Sequence, residues 1–173
     1  MVPVKRLFLL RHAKSSWDDP RLDDHERPLA PRGRRASKLI CGHLRRERIT
    51  PSLVLCSSAR RTRETLERIL PAPDAADVRI EDGLYQASAE VLLQRLREVP
   101  HDTESVMLVG HQPAIQELAV ALAGDGAELA RMRAKFPTAA LATLLFPGDW
   151  TELGPGSAEL VAYVKPKELA ARR

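Results

Sequence analysis

Two stretches of this chain share one pattern, an unbroken apolar run that ends on an imidazole. The first is Leu7-Phe8-Leu9-Leu10-Arg11-His12, and the second is Val106-Met107-Leu108-Val109-Gly110-His111. Apolar runs without polar alternation are strands buried on both faces, and such strands belong to sheets covered by helices on each side. In parallel α/β sheets, ligands bind just beyond the carboxyl ends of the strands. Arg11, His12 and His111 therefore stand where chemistry is expected.

The rest of the chain alternates strand-like and helix-like segments, the signature of βαβ units. A long polar loop, residues 13–31, follows the first strand, and loops of that length are commonly functional. A helix is expected from about Pro31, with Ala36, Leu39, Ile40, His43 and Leu44 at helical spacing. Residues 52–57 read as a second buried strand running into Ser58-Ala59-Arg60-Arg61-Thr62-Arg63-Glu64-Thr65, a helix start with serines set to cap it. Thr62, Leu66, Ile69 and Leu70 form its inner face, and Pro71-Ala72-Pro73-Asp74 breaks it. Residues 78–85 suit a short edge strand, and 88–99 a helix with Leu92, Leu96 and Val99 on one side. Pro113 suits the first turn of a helix that buries Ile115, Leu118, Ala119 and Leu122 and ends at Gly124-Asp125-Gly126. Residues 139–146 and 160–164 are two further strands. The expectation is an α/β fold, three-layer αβα, with a mostly parallel central sheet flanked by helices. Residues 1–164 form a single domain and 165–173 a charged, frayed C-terminal tail.

Composition excludes several classes. The 173 residues suit one domain. The net charge of +4 reflects arginines on solvated helix faces, and 4% aromatic residues leave nucleic-acid bases little to stack on. No nucleic-acid partner is expected. Cys41 and Cys56 sit in apolar contexts and read as reduced core thiols. The opening apolar run is too short for a signal peptide, and no window suits a membrane span. A soluble, cytoplasmic protein without a membrane partner is expected.

Three strand ends thus present Arg11-His12, the helix start from Ser57 to Arg61, and His111. Two guanidinium forks and two imidazoles around a helix N-terminus make a pocket for a dianion. Neighbouring cations disfavour the imidazolium and keep a ring nitrogen free to attack phosphorus; the same cations stabilise charge on the equatorial oxygens. A metal reading of His12, His25 and His111 finds no ligand spacing to support it, and arginines around a cation are adverse. Neither a metal nor another cofactor is implied.

Leu-Leu-Arg11-His12-Ala13, then Ser57-Ser-Ala-Arg-Arg61-Thr-Arg-Glu-Thr65, then Val-Gly110-His111 resemble the histidine phosphatase superfamily, the phosphoglycerate-mutase-like fold. The phrase Arg-His-Ala-Lys-Ser-Ser-Trp, with Arg27-Pro28-Leu29 after it, is similar to the SixA-type phosphohistidine phosphatase branch. The resemblance implies that His12 is the nucleophile and is transiently phosphorylated. It makes Arg11 and Arg61 the phosphate-binding arginines and His111 the second imidazole on the phosphoryl group. Lys14 and Ser15 are expected at the phosphate; Arg27 either touches substrate or anchors the long loop through the local aspartates. Ala13 departs from the glycine that much of the superfamily carries. The family's general acid has no clear counterpart, Glu81 and Asp82 being the nearest by region.

That gap bears on the substrate. An alkyl phosphate expels an alkoxide unless an acid protonates it, whereas a protonated phosphohistidine releases neutral imidazole. The expectation is a metal-independent phosphatase acting on phosphohistidine in a partner protein. The alternatives are a small-molecule phosphomonoesterase of the same superfamily and a catalytically silent phosphate-binding module. Mutase activity is disfavoured, because the interval between Arg61 and His111 is too short for the insertion that closes over a sugar phosphate.

Overall fold

In the computed structural model, which describes residues 2–70 and 77–172, the apolar runs become the middle of one seven-stranded sheet. Its order is β3 (Asp77–Glu81), β2 (Leu53–Ser57), β4 (Ser105–Gly110), β1 (Val4–Arg11), β6 (Leu141–Pro147), β7 (Ala158–Val164) and β5 (Ala123–Asp125). β1 pairs in parallel with β4, β4 with β2 and β2 with β3; β6 is antiparallel to both β1 and β7, and β5 is parallel to β7. Only β6 opposes the other strands, so the sheet is mostly parallel.

The period of two along each strand divides the core. Leu7, Leu9, Leu53, Leu55, Val106 and Leu108 enter one cluster, while Phe8, Leu10, Val54, Cys56, Met107 and Val109 enter the other. The first cluster is covered by α3 (Ala89–Arg97), α4 (Ala114–Leu122) and α5 (Leu129–Ala134). The second is covered by α1 (Pro31–Arg46), α2 (Arg60–Ile69) and α6 (Pro166–Ala171). Helices on both faces complete the three layers and explain why the strands read as continuous apolar runs.

Gly33 shows how tightly the layers close. A Cβ there would lie 2.1 Å from the carbonyl oxygen of Lys14, so only glycine lets α1 pass against the segment leaving β1.

Several expectations need correction. The edge strand stops at Glu81, and residues 82–84 form a single 3-10 turn. Gly124 and Asp125 belong to the short strand β5 rather than a turn, and α5 follows where no helix was anticipated. The tail expected to fray forms α6, whose Leu169 is buried against α1. Its apolar spacing, one leucine in six residues, is too sparse to read as a helix. The break expected at Pro71-Ala72-Pro73-Asp74 lies outside the described residues. Among the described residues, no helix is long and apolar enough to cross a membrane.

Candidate active site

The order β2–β4–β1 brings three carboxyl ends side by side. His12, one residue beyond β1, is clamped by its backbone: its N–H donates to Gly110 O at 3.1 Å, and its carbonyl accepts from Ala139 N at 3.0 Å. Ala139 adopts φ +63°, a left-handed conformation costly for a residue with a Cβ. It is fully buried, and its N–H also bonds Arg11 O.

The His12 ring is buried, and Nδ1 lies 2.7 Å from the carbonyl oxygen of Ala13. A carbonyl only accepts, so Nδ1 carries the proton and Nε2 keeps its lone pair. Burial pushes the His12 pKa down to about 3; the backbone bond opposes this, while His111, Arg61 and Arg11 add to it. Desolvation outweighs the neighbouring cations that the sequence suggested as the cause.

His111 faces His12 with ring centroids 5.3 Å apart. Its Nε2 bonds Ser57 Oγ at 2.8 Å, and burial followed by the Arg61 charge lowers its pKa to about 4. Ser57 and Ser58 were expected to cap α2, but the cap position is Ala59 and no side chain caps it. Both hydroxyls hold imidazoles: Ser57 takes His111 while also accepting from Ala59 N at 3.3 Å, and Ser58 takes His25 Nε2 at 2.9 Å.

Arg61 is buried on the first turn of α2. Its Nη1 donates to Asp24 O at 2.8 Å and its Nη2 to Asp24 Oδ2 at 3.0 Å. Arg11 Nη1 donates to the carbonyl of Phe136 at 2.9 Å, and burial lowers its pKa. Two buried side-chain polar atoms among the described residues lack a hydrogen-bond partner, Arg11 Nε and His111 Nδ1. Both belong to this cluster. A buried polar atom left unmade costs about 1–3 kcal/mol, so the site is built with hydrogen-bonding capacity to spare.

Of the expected site residues, the structure brings Arg11, His12, Arg61 and His111 together. The Ser15 hydroxyl lies against Arg27 instead, accepting from its Nη2 at 2.6 Å. The Lys14 side chain is exposed, while its carbonyl accepts from Ala30 N. Arg27 anchors the loop: it also donates to Ser16 O and to Asp24 Oδ1, and its guanidinium lies over the Trp17 ring. Glu81 is engaged by Arg95 through two bonds of 2.7 and 2.9 Å, and Asp82 is exposed in its turn.

Three residues around the site went unassigned in the sequence. Asp24 accepts from Arg61, Arg27 and Tyr85 Oη, and the Tyr85 bond, followed by the two arginines, holds its pKa at about 2 against the opposing effect of burial. Tyr85 stands edge-on to His111 and to His25, with centroids 5.7 and 4.8 Å away. The acidic composition of the loop was the signal for Asp24; no spacing pointed to His25 or Tyr85. Among the described residues, no group of three or more His, Cys, Asp or Glu side chains is arranged to hold a metal.

An αβα sheet that gathers two neutral imidazoles and two guanidinium groups at its carboxyl edge defines a protein of phosphoryl chemistry. The model of the histidine phosphatase superfamily (branch 1) matches residues 7–92. An uncharacterized protein of Mycobacterium tuberculosis is 37% identical over 163 residues, covering 91% of this chain and all of that one. The candidate phosphohistidine phosphatase SixA of Nakamurella multipartitia superposes with a TM-score of 0.81 at 31% identity, over 94% of this chain and 96% of that one. Its counterpart from Agrobacterium tumefaciens gives 0.81 at 30% identity, over 96% and 100%. The chain belongs to the histidine phosphatase superfamily, in its SixA-type branch, and is a phosphatase of that superfamily.

Proposed function

We propose that this protein removes the phosphoryl group from phosphohistidine in a partner protein, through a phosphoryl group carried transiently on His12 and without a metal. The observation that carries the reading is the Nδ1–H of His12 donated to Ala13 O, which leaves Nε2 as a neutral nucleophile. The Nε2–P bond forms as the P–N bond of the substrate breaks, and the electron pair of that bond leaves with the substrate imidazole. When the distal ring nitrogen already carries a proton, the leaving group is neutral imidazole. Water then attacks phosphorus, restoring His12 and releasing inorganic phosphate.

Arg11, Arg61 and His111 meet the phosphoryl oxygens in this reading, and the unpartnered Arg11 Nε and His111 Nδ1 supply N–H donors for them, Nδ1 carrying the His111 proton when Nε2 accepts from Ser57 Oγ. Lys14 has only a peripheral part at the phosphate, and Ser15 acts through Arg27. The preference for phosphohistidine over an ester is supported by the carboxyl groups. Asp24 is ionised at neutral pH, and Glu81 is tied to Arg95, so neither is poised to protonate an alkoxide. The names borne by the SixA structures point the same way.

The test compares kcat/KM for a phosphohistidine-bearing protein and for an alkyl phosphomonoester, with chelator present throughout. Phosphohistidine is expected to be preferred by about a hundredfold or more, the lower end of what a general acid is worth to an ester. Equal or better turnover of the ester indicates a small-molecule phosphomonoesterase. No turnover of either, with no phosphoenzyme, indicates a silent phosphate-binding module.

A further inference from the structure

The chain has seven aromatic residues, and five of them, Phe8, Phe136, Phe146, Trp150 and Tyr163, are buried in the core. Tyr85 is one of the two that reach the surface, and its partly exposed ring lies against His111 of the site. From the reacting ring outward the aromatic groups form a series: His12 to His111 at 5.3 Å, His111 to Tyr85 at 5.7 Å and Tyr85 to His25 at 4.8 Å. The last two contacts are edge-on, at 71° and 87°.

The outer members of this series are fixed in place. Tyr85 Oη donates to Asp24 Oδ2 at 2.6 Å, and His25 is held at both nitrogens, by Ser58 Oγ and Glu26 Oε1, each at 2.9 Å. The backbone also contributes, since Tyr85 follows the 3-10 turn of residues 82–84 and precedes Gln86 at φ +59°, a left-handed residue with a Cβ. Strain of that kind persists where the surroundings over-determine a conformation, and it gathers at functional sites. Arg11 and Arg61 already supply the charge for a phosphoryl group. A rigid aromatic wall beside them adds nothing for phosphate alone, but it suits a flat ring bonded to phosphorus.

We propose that Tyr85, backed by His25, is the leaving-group subsite, a wall against which the imidazole ring of an N-phosphorylated histidine lies as its bond to phosphorus breaks. Asp24 pins the phenol so that the ring, rather than the hydroxyl, faces the substrate. The inference rests on the phosphohistidine reading and assigns the residue that recognises the departing ring.

The test uses the full chain and two substrates with the same P–N bond, phosphohistidine and phosphoramidate, the latter having no ring. The quantity read is the ratio of their kcat/KM values in the wild type, in Tyr85→Leu and in Tyr85→Phe, after circular dichroism has shown each variant folded. Tyr85→Leu is expected to lower the ratio about five- to tenfold, the worth of one aromatic pair. Tyr85→Phe keeps the ring and is expected to hold the ratio within about twofold of wild type. An unchanged ratio in Tyr85→Leu overturns the subsite. So does a Tyr85→Phe variant that loses as much as Tyr85→Leu, because the residue then acts only through its bond to Asp24. A wild-type protein with no preference for phosphohistidine over an alkyl phosphomonoester overturns the underlying reading as well, whereas the preceding outcomes sink the subsite alone.

Discussion

His12 owes its tautomer to one carbonyl and its neutrality to burial. The bond from Nδ1 to Ala13 O fixes which nitrogen is free, and desolvation keeps the ring uncharged well below neutral pH. His12 at about 3 and His111 at about 4 bind protons less tightly than a histidine of the unfolded chain, near 6.5. As pH falls below that value, the unfolded chain takes up protons first. Their contribution to stability is therefore complete above about 6.5 and is lost progressively as pH falls toward 4 and 3. Histidine C–H resonances followed by NMR are expected to show neither ring titrating between about pH 8 and pH 5; a midpoint near 6.5 for either contradicts the account. Ser57→Ala removes the partner of His111 Nε2, and kcat/KM is expected to fall about two- to tenfold with circular dichroism unchanged, the range of one net hydrogen bond. No change would mean that the orientation of His111 is set elsewhere.

The elements that position these residues were legible where pattern and burial coincide. Leu7 to Leu10 and Val106 to Val109 are apolar without interruption because both faces of their strands are covered, and that single fact gave the sheet, the two imidazoles and the edge on which they lie. The helix start after a buried strand was legible, but Arg61 was singled out from Arg60 and Arg63 only by the family resemblance, which sets its arginine four residues after Ser57 and four before Thr65; it lies on the first turn of α2. Asp24, His25 and Tyr85 were not legible, since the loop and turn that hold them have no period to read, and their roles arise from contacts 33 to 61 positions apart in sequence. Ser57 and Ser58 misled because a hydroxyl beside a helix start serves a cap and an imidazole equally well. Gly33 tests the element scale directly. Gly33→Ala forces α1 away from the Lys14 carbonyl and is expected to destabilise the protein by about 1–3 kcal/mol in urea unfolding, the usual cost of overpacking. Leu169→Ala is expected to cost about 2 kcal/mol, the low end for a buried leucine because its helix is short and terminal; a loss of stability too small to measure would mean that α6 does not hold α1.

Across the whole molecule, the sheet order β2–β4–β1 turns three distant segments into one site, with α2 supplying Arg61 from one side and the long loop closing over it through Asp24 and Arg27. The polar groups of that loop are largely committed to one another, so it serves as a frame for the guanidinium groups. Of the two Phe, Tyr or Trp rings outside the core, Tyr85 lies against His111 and Trp17 stacks on the Arg27 guanidinium of the loop. In the proposed reaction, charge on the phosphoryl oxygens is met by guanidinium groups, and turnover is expected to survive exhaustive treatment with chelator; activity lost to chelator and restored by a divalent metal would contradict that. The central claim is that phosphorus passes through His12 Nε2. Rapid quench of the protein with a radiolabelled phosphohistidine protein tests it most directly. A phosphoenzyme labile to acid and stable to alkali, located at His12 and missing from a folded His12→Ala variant, is the predicted result. Phosphate release by His12→Ala at the wild-type rate, or label trapped on any other residue, would contradict the account.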